Sequence, residues 1–188
     1  GDSAQNAVGD TAAGNIWDLW DARNGVNSKL KESNGGTNFT YTLPSMVDGL
    51  AVAASYQPAG ANDESDTAYS LVYSGVEGLT VSYGSGSNDS PTGSTTNSDT
   101  SVVAVDYVYG SVTLAYSDHS HDSNTNTADQ DTAAWMVSYT VSDAISVSYG
   151  EEEMKSGTAG DQDASYSRLT ASYTSGGMTV SGNMSEMK

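Results

Sequence analysis

The sequence contains no cysteine, which excludes a disulfide framework and any metal site built on thiolates. Only six of its 188 residues are Lys or Arg, against 24 Asp and Glu, and the formal net charge at pH 7 is −18. A nucleic-acid-binding surface needs basic residues to neutralise phosphates, so this charge balance excludes nucleic acid as a partner. No run of about 18 apolar residues occurs, which excludes a transmembrane helix.

A two-residue alternation of apolar and small or polar side chains runs through most of the chain. Its clearest example lies near the middle, where Val103, Val105 and Tyr107 alternate with Ala104 and Asp106. Successive side chains of a strand point to opposite faces, so such a strand has one aliphatic face and one small, polar face. The pattern predicts strands that form a wall between lipid and water.

The strands recur as hairpins with a nearly constant spacing. The residue pairs that open the return strands are 29, 33, 33 and 33 residues apart. They are Gly49-Leu50, Gly78-Leu79, Ser111-Val112, Ala144-Ile145 and Gly177-Met178. Helical repeats of similar length need a 3.6-residue periodicity, which these segments lack. Each unit is therefore a strand, a short turn, a return strand and a long polar loop.

The two kinds of connection differ in length and composition. The long loops are predicted at residues 58–67, 85–100, 117–131 and 151–164, all rich in Ser, Thr, Asn, Asp and Gly. The acidic run from Glu151 to Glu153 is expected to be the solvated base of the last loop. Short turns at one rim and long loops at the other are typical of the periplasmic and extracellular ends of an outer-membrane barrel.

Tyrosine supplies 12 of the 16 aromatic residues and falls into two rows. Tyr73, Tyr107, Tyr139 and Tyr173 precede the short turns, and Tyr56, Tyr83, Tyr116 and Tyr149 precede the long loops. Rows at both ends of an aliphatic band are typical of the aromatic girdles of membrane barrels, whereas a β-sandwich gathers its large aromatics in the core. The rows therefore favour a membrane barrel.

Residues 1–36 do not follow the alternation and are assigned to a separate segment, before the hairpin repeats of residues 37–188. Apolar side chains in the first segment have helix-like spacing, at Ile16, Trp17, Leu19 and Trp20. Two interpretations stay open: a short helical turn inside a loop, or an ordinary packing segment that covers a sheet edge.

Sequence motifs for catalysis or metal binding are weak. Asp118, His119, His121 and Asp122 are candidate metal ligands, because two imidazoles on one side of an extended segment can bind a divalent ion. Polar loops produce such clusters by chance, so we expect no functional metal site there. Neither a G-x-S-x-G elbow nor a P-loop lysine accompanies the abundant Ser and Gly, and the chain is not expected to be an enzyme.

Residues 37–60, TNFTYTLPSMVDGLAVAASYQPAG, carry a family resemblance. Their tyrosine, turn proline, glycine-hydrophobic restart and closing Tyr-Gln-Pro are similar to the strand pair that follows the constriction loop of Gram-negative general diffusion porins, nearest to acidic porins of alphaproteobacteria. The resemblance implies an all-β, antiparallel transmembrane barrel, with about ten of 16 strands present here and residues 1–36 serving as the inward constriction loop and its lead-in. The ending Met187-Lys188 lacks the terminal aromatic of that family, so five earlier strands and a last strand, roughly 100 to 150 residues, are expected in addition.

The resemblance also implies a function, a location and partners. It implies a homotrimer in the bacterial outer membrane, in contact with lipid and lipopolysaccharide, that lets ions and small hydrophilic solutes diffuse passively. No cofactor is expected beyond loosely bound divalent cations such as calcium at the acidic loops. The competing interpretation is a secreted or surface structural or adhesive β-protein that packs into a filament or layer.

Charged residues of the expected constriction follow from the same resemblance. Asp18 and Asp21 would lie on the inward loop, anchored by Trp17 and Trp20, opposite a basic wall that includes Arg23, Lys29 and Lys31. Asp106 and Arg168 would face the lumen. Few basic residues offset the acids, so we expect cation selectivity.

Overall fold

The computed structural model describes residues 4–5, 10–16, 38–59, 65–88, 97–124, 129–157 and 163–188. Ten strands form one antiparallel sheet, in which each strand pairs with its neighbours in the chain. The strands are β1 Phe39–Thr42, β2 Leu50–Gln57, β3 Asp66–Val76, β4 Leu79–Asn88, β5 Ser98–Tyr109, β6 Val112–Ser123, β7 Gln130–Ser142, β8 Ile145–Ser156, β9 Ala164–Ser175 and β10 Met178–Met187. The predicted all-β, antiparallel fold is confirmed. Nowhere in the described ranges is there a helix with the length and apolar composition needed to cross a membrane.

The predicted return strands begin where the repeat places them. Leu50, Leu79, Val112, Ile145 and Met178 are the first residues of β2, β4, β6, β8 and β10. The last four of these hairpins have two-residue turns. In the turn before β10, Gly176 and Gly177 have φ values of 58° and 81°, the left-handed conformation that a type I′ turn requires at both positions.

The long loops are shorter than predicted, because the strands continue into them. β6 runs to Ser123 and β7 begins at Gln130, so most of the expected 117–131 loop is paired strand. Likewise β8 runs to Ser156 and includes Glu151 to Glu153. Backbone pairing needs no apolar side chain, so a ladder extends past the aliphatic stretch that reveals it in the sequence.

The sheet has two faces of opposite character, which the strand registers define. The polar face carries Asp106 and Arg168, the two strand residues predicted to face the lumen, together with Ser70, Thr80, Thr113, Ser138, Ser146 and Thr179. The apolar face carries the aliphatic and aromatic side chains of the alternation. On β6, Leu114 of the apolar face is 45% exposed, while Ser117 of the polar face is fully buried. The usual arrangement of a soluble sheet is inverted.

Candidate functional site

A segment from the first part of the chain lies against the polar face and crosses the strands. We call residues 4–5 and 10–16 the crossing segment. Its hydrogen bonds reach five strands: Ala4 N donates to Ser55 Oγ on β2 (2.9 Å), Thr100 Oγ1 on β5 donates to Gln5 Oε1 (2.9 Å), Ala12 N donates to Ser117 Oγ on β6 (2.8 Å), Glu152 on β8 accepts from Thr11, and Arg168 on β9 donates to Ala13. The segment therefore spans the polar face from β2 to β9.

The crossing segment can approach the polar face closely at two points where the sheet residue is glycine. A Cβ added at Gly84 on β4 would lie 3.1 Å from Gln5 Cγ, and one added at Gly150 on β8 would lie 3.2 Å from Ala13 Cβ. These separations are shorter than ordinary contacts between carbon atoms, so larger residues would push the segment away. The two glycines allow its close approach to the sheet.

Residues 11–15 form a compact turn that presents polar groups on both sides. Gly14 N donates to Thr11 O at 2.9 Å, and Gly14 and Asn15 have φ values of 75° and 52°. Glycine and asparagine are the residues that most readily adopt this left-handed conformation. Thr11 N donates to Asn15 Oδ1 (2.9 Å) and Asn15 N donates to Thr11 Oγ1 (2.8 Å), so the turn is held by its own side chains.

Two charged side chains of neighbouring strands hold this turn. Glu152 is 1% exposed, and its Oε2 accepts hydrogen bonds from Thr11 Oγ1 at 2.7 Å and from Ile16 N at 3.3 Å. Arg168 Nη2 donates to Ala13 O at 2.7 Å and to Gly14 O at 3.3 Å. The carboxylate accepts from the ends of the turn and the guanidinium donates to its middle, and bonds to charged groups are stronger than neutral ones.

An apolar cluster continues the contact on the same side of the face. It consists of Ala13 and Ile16 from the crossing segment with Ala134, Met154, Ala164 and Tyr166 from β7, β8 and β9. Ile16 is fully buried, which stabilises the docked segment by about 1.5–3 kcal/mol relative to an exposed isoleucine. Residues 11–16 are thus fixed by charge, hydrogen bonds and packing together.

The predicted constriction residues divide into two groups. Asp106 and Arg168 lie on the polar face, Asp106 exposed and Arg168 engaged with the backbone of the crossing segment. Asp18, Asp21, Arg23, Lys29 and Lys31 lie outside the described residues, as do Trp17 and Trp20. Arg168 therefore lies on the polar face, as predicted, and in addition binds the crossing segment.

The eight predicted girdle tyrosines all lie on the apolar face. Two aromatic residues not included in the prediction join the row near the long loops. Tyr69 lies with its ring 5.9 Å from that of Tyr83, and Trp135 with its ring 5.6 Å from that of Tyr149. Tyr149 OH donates to Glu151 Oε1 at 2.6 Å, so this row meets carboxylates on its outer side.

The candidate metal ligands separate onto opposite faces. Asp118 and Asp122 lie on the apolar-face side of β6, whereas His119 and His121 are buried on the polar face. Side chains on opposite faces of a strand cannot converge on one ion, so the two aspartates cannot join the two histidines. In the part of the chain that the structure describes, no three His, Cys, Asp or Glu side chains are grouped to hold a metal ion.

Sequence reasoning missed Glu152, which was expected in a solvated loop. The strand parity contained the signal, because continuing the alternation beyond Tyr149 places Gly150 and Glu152 on the polar face. Ser117 was missed for the same reason, since the alternation beyond Tyr116 places it opposite the apolar band.

Solved structures similar to this chain include two porins and the outer membrane protein OmpT. An anion-selective porin from Comamonas acidovorans is 19% identical, with a TM-score of 0.63 over 80% of this chain and 48% of that one. A second structure, a porin refined at 1.8 Å resolution, is 19% identical, with a TM-score of 0.70 over 100% of this chain and 70% of that one. OmpT, an outer membrane protein of Vibrio cholerae, is 20% identical, with a TM-score of 0.54 over 80% of this chain and 53% of that one. The chain spans about half the length of the Comamonas porin.

The sequence itself carries the family assignment. No curated protein matches it closely enough to count as a relative. The model of a family described as Gram-negative porin matches residues 1–186, almost the whole chain. The predicted affinity to alphaproteobacterial porins stays a prediction. The fold and the family match place the chain in the bacterial outer membrane, and it belongs to the Gram-negative porin family.

Proposed function

We propose that this chain forms part of the wall of an outer-membrane channel, and that the crossing segment narrows a water-filled passage along the polar face. Ions and small hydrophilic solutes diffuse through it without catalysis. The observation that carries the proposal is the position of the crossing segment, which lies on the polar face between β2 and β9. A chain segment held inside a barrel reduces the cross-section open to solutes, as loops do in plugged barrels.

The proposed channel prefers cations. Among the described strand residues of the polar face, Asp66, Asp106 and Glu152 are acidic, and Arg168 is basic. Arg168 is engaged with backbone carbonyls of the segment, while Asp106 is exposed. The excess of carboxylates gives a negative potential along the passage, which raises the local concentration of cations. The formal charge of −18 for the whole chain acts in the same direction.

The Comamonas porin is anion-selective, and its resemblance to this chain concerns the fold. A shared barrel does not determine the sign of selectivity, because the charges that line it decide which ions enter. We therefore infer selectivity from the side chains of this chain. Asp18 and Asp21 of the first segment are proposed to add to the negative side of the constriction, with Arg23, Lys29 and Lys31 opposite them.

The wider assembly is proposed from the edges and the apolar face of the sheet. Among the described strands, β1 and β10 are the first and last of the sheet, and a membrane offers no water to the backbone groups of an edge strand. Further strands, giving about 16 in total, would close the barrel. The apolar face then meets lipid on one part and the other subunits of a homotrimer on another. Outer carboxylates such as Glu151 would meet lipopolysaccharide through bridging divalent cations such as calcium.

Membership of the porin family disfavours the secreted structural or adhesive protein considered from the sequence. The apolar face disfavours it as well, because soluble proteins rarely expose a contiguous apolar surface beyond a few hundred Å². We expect the purified protein to require detergent.

Current through planar lipid bilayers tests the proposal. We expect discrete conductance steps and, across a potassium chloride gradient, a reversal potential that shows potassium permeating better than chloride. Asp106→Asn should shift the reversal potential toward chloride, because it removes an exposed carboxylate from the polar face. Asp99→Asn makes the same change of charge on the other side of β5 and serves as the control. A chloride-selective wild type would contradict the cation preference, and the absence of conductance steps would contradict the channel.

A further inference from the structure

Glu152 is a buried acidic residue of β8 whose carboxylate binds the crossing segment. Its carboxylate is 1% exposed, and Thr11 Oγ1 and Ile16 N of the crossing segment both donate to Oε2. A buried carboxylate is costly unless hydrogen bonds replace its hydration. The crossing segment supplies such bonds. If the segment moved away from the sheet, the Glu152 carboxylate would lose both of these hydrogen bonds.

The contacts of Glu152 define a position along the segment. They reach residue 11, where the turn begins, and residue 16, directly after it, while Arg168 on the next strand binds the carbonyls of Ala13 and Gly14 between them. Glu152 pairs with Tyr166 in the β8–β9 register, and Gly150 pairs with Arg168. The acid and the guanidinium therefore lie two residues apart along the same ladder, and together they fix both the place and the orientation of the turn.

Gly150 allows the turn to lie close to β8. Its missing side chain leaves room for Ala13, whose Cβ would be 3.2 Å from a Cβ at position 150. The turn thus lies directly on the backbone of β8.

We propose that Glu152 is the positioning residue of the constriction: its carboxylate fixes residues 11–16 on β8 and so sets a single open cross-section of the channel. The proposal rests on the proposed channel function. Without the carboxylate, the turn loses its bonds at residues 11 and 16 and leaves β8 part of the time, although Arg168 and the apolar cluster still hold it. The expected consequence is the loss of the single conductance level, with fluctuation between two or more levels in its place.

The matched pair Glu152→Ala and Glu153→Ala tests the assignment. Both variants remove one carboxylate, but Glu153 lies on the opposite face, exposed, with Lys155 at 3.7 Å. Glu152→Ala should fluctuate between levels, and Glu153→Ala should keep the single level of the wild type. Equal behaviour of the two variants would overturn the proposal.

An engineered disulfide distinguishes a positioning role of Glu152 from an effect of its charge on the permeating ions. The chain has no cysteine, and disulfide-bonded residues have their Cβ atoms about 3.5–4.5 Å apart, close to the separation between positions 13 and 150. Ala13→Cys with Gly150→Cys should therefore link the turn to β8. In the Glu152→Ala background, the oxidised form should regain the single level, and reductant should bring the fluctuations back. If oxidation leaves the fluctuations unchanged, Glu152 acts through its charge on the ions, and the positioning role is wrong.

The rate of cross-linking provides a reading that does not depend on current. In the folded protein, the two cysteines should link faster with Glu152 present than with Glu152→Ala, as followed by gel mobility after mild oxidation. Equal rates would overturn the positioning role even if the protein conducts. Faster linking in the presence of Glu152, in a protein that shows no conductance, would uphold the positioning of the segment and remove the channel function instead.

Discussion

The two faces of the sheet differ in exposure: polar side chains are buried on the polar face, and apolar side chains are exposed on the apolar face. On the polar face, Ser117, Thr100 and Glu152 are buried beside the crossing segment, while on the apolar face Leu114 and Val137 remain exposed. The hydrophobic effect stabilises a protein by removing apolar area from water. In water, this arrangement would be unfavourable because the apolar side chains would stay exposed. The comparison teaches that the two faces have different surroundings: the apolar face meets lipid, and the polar face meets water and a chain segment.

The crossing segment explains why part of the polar face is buried. Its backbone and side chains are hydrogen-bonded by hydroxyls near one end, such as Ser55, and by charged groups near the other, at Glu152 and Arg168. Polar residues at these positions make the bonds that a buried segment needs, since an unpaired buried polar group costs about 1–3 kcal/mol. Small residues such as Gly150 provide the space.

A charge on the apolar face should have the largest effect of the changes considered. Val137→Arg is expected to destabilise the protein by about 2–4 kcal/mol, because an arginine side chain near the middle of the bilayer loses hydration. The measurement is urea-induced unfolding in lipid vesicles. Ser138→Arg is the control, since the next residue of β7 lies on the polar face, and we expect a change within about 0.5 kcal/mol there. Equal losses would show that the two faces do not have different surroundings.

Crowding the contact with the segment should have the next largest effect. Gly150→Val places methyl groups where Ala13 lies and should destabilise the protein by about 1–3 kcal/mol, as overpacking does. Gly182→Val on β10 is the control, because an added Cβ meets nothing within 4 Å there. Thermal unfolding in detergent compares them, and a Gly150→Val variant as stable as Gly182→Val would mean that the segment does not lie on β8.

Removal of a single hydroxyl should be felt more on the polar face than on the apolar one. Thr100→Val deletes a buried donor to Gln5 Oε1 and should cost about 1 kcal/mol. Thr67→Val deletes an exposed hydroxyl that lies 2.7 Å from Ser87 Oγ, and water can replace this bond. Chemical denaturation of both variants decides between them, and the ranking fails if Thr67→Val is the more destabilised.

Much of this architecture can be predicted from the alternation, because period two is a local property of each strand. The starts of the five return strands, and the face on which Asp106 and Arg168 lie, follow from it directly. Strand ends could not be predicted as well, since polar ladders such as Gln130 to Thr132 have no apolar periodicity. The loops were consequently predicted too long, and Glu152 was assigned to solvent.

The contacts of the crossing segment could not be predicted from local patterns. Thr11 and Glu152 are 141 residues apart in the sequence, and Ala13 and Arg168 are 155 residues apart. The local sequence around one residue of each pair therefore does not indicate its partner. The family resemblance predicted an inward loop within residues 1–36 and a lumen-facing Arg168, but it did not identify Ser117 or Glu152 as residues that bind the segment. Those residues emerge from the folded arrangement of β6, β8 and β9.

Removal of divalent cations should have the smallest effect. The apolar-face carboxylates beyond the tyrosine row, including Asp118, Glu151 and Glu186, would repel the phosphates of lipopolysaccharide unless a hard cation such as calcium bridges the oxygens. A chelator should therefore lower the melting temperature slightly in membranes that contain lipopolysaccharide. Glu151→Gln should reduce that difference. An unchanged melting temperature would remove the bridging cations from the account.

The most direct test of the two-face account is the labelling of single cysteines in lipid vesicles with a water-soluble, membrane-impermeant thiol reagent that passes through the channel. The absence of native cysteine makes each introduced residue the sole target. We predict that Thr113→Cys, Ser138→Cys and Ser146→Cys are labelled, whereas their neighbours Leu114→Cys, Val137→Cys and Val147→Cys are protected by lipid. The opposite pattern, or labelling without a two-residue alternation, would contradict the central claim that the polar face meets water and the apolar face meets the membrane.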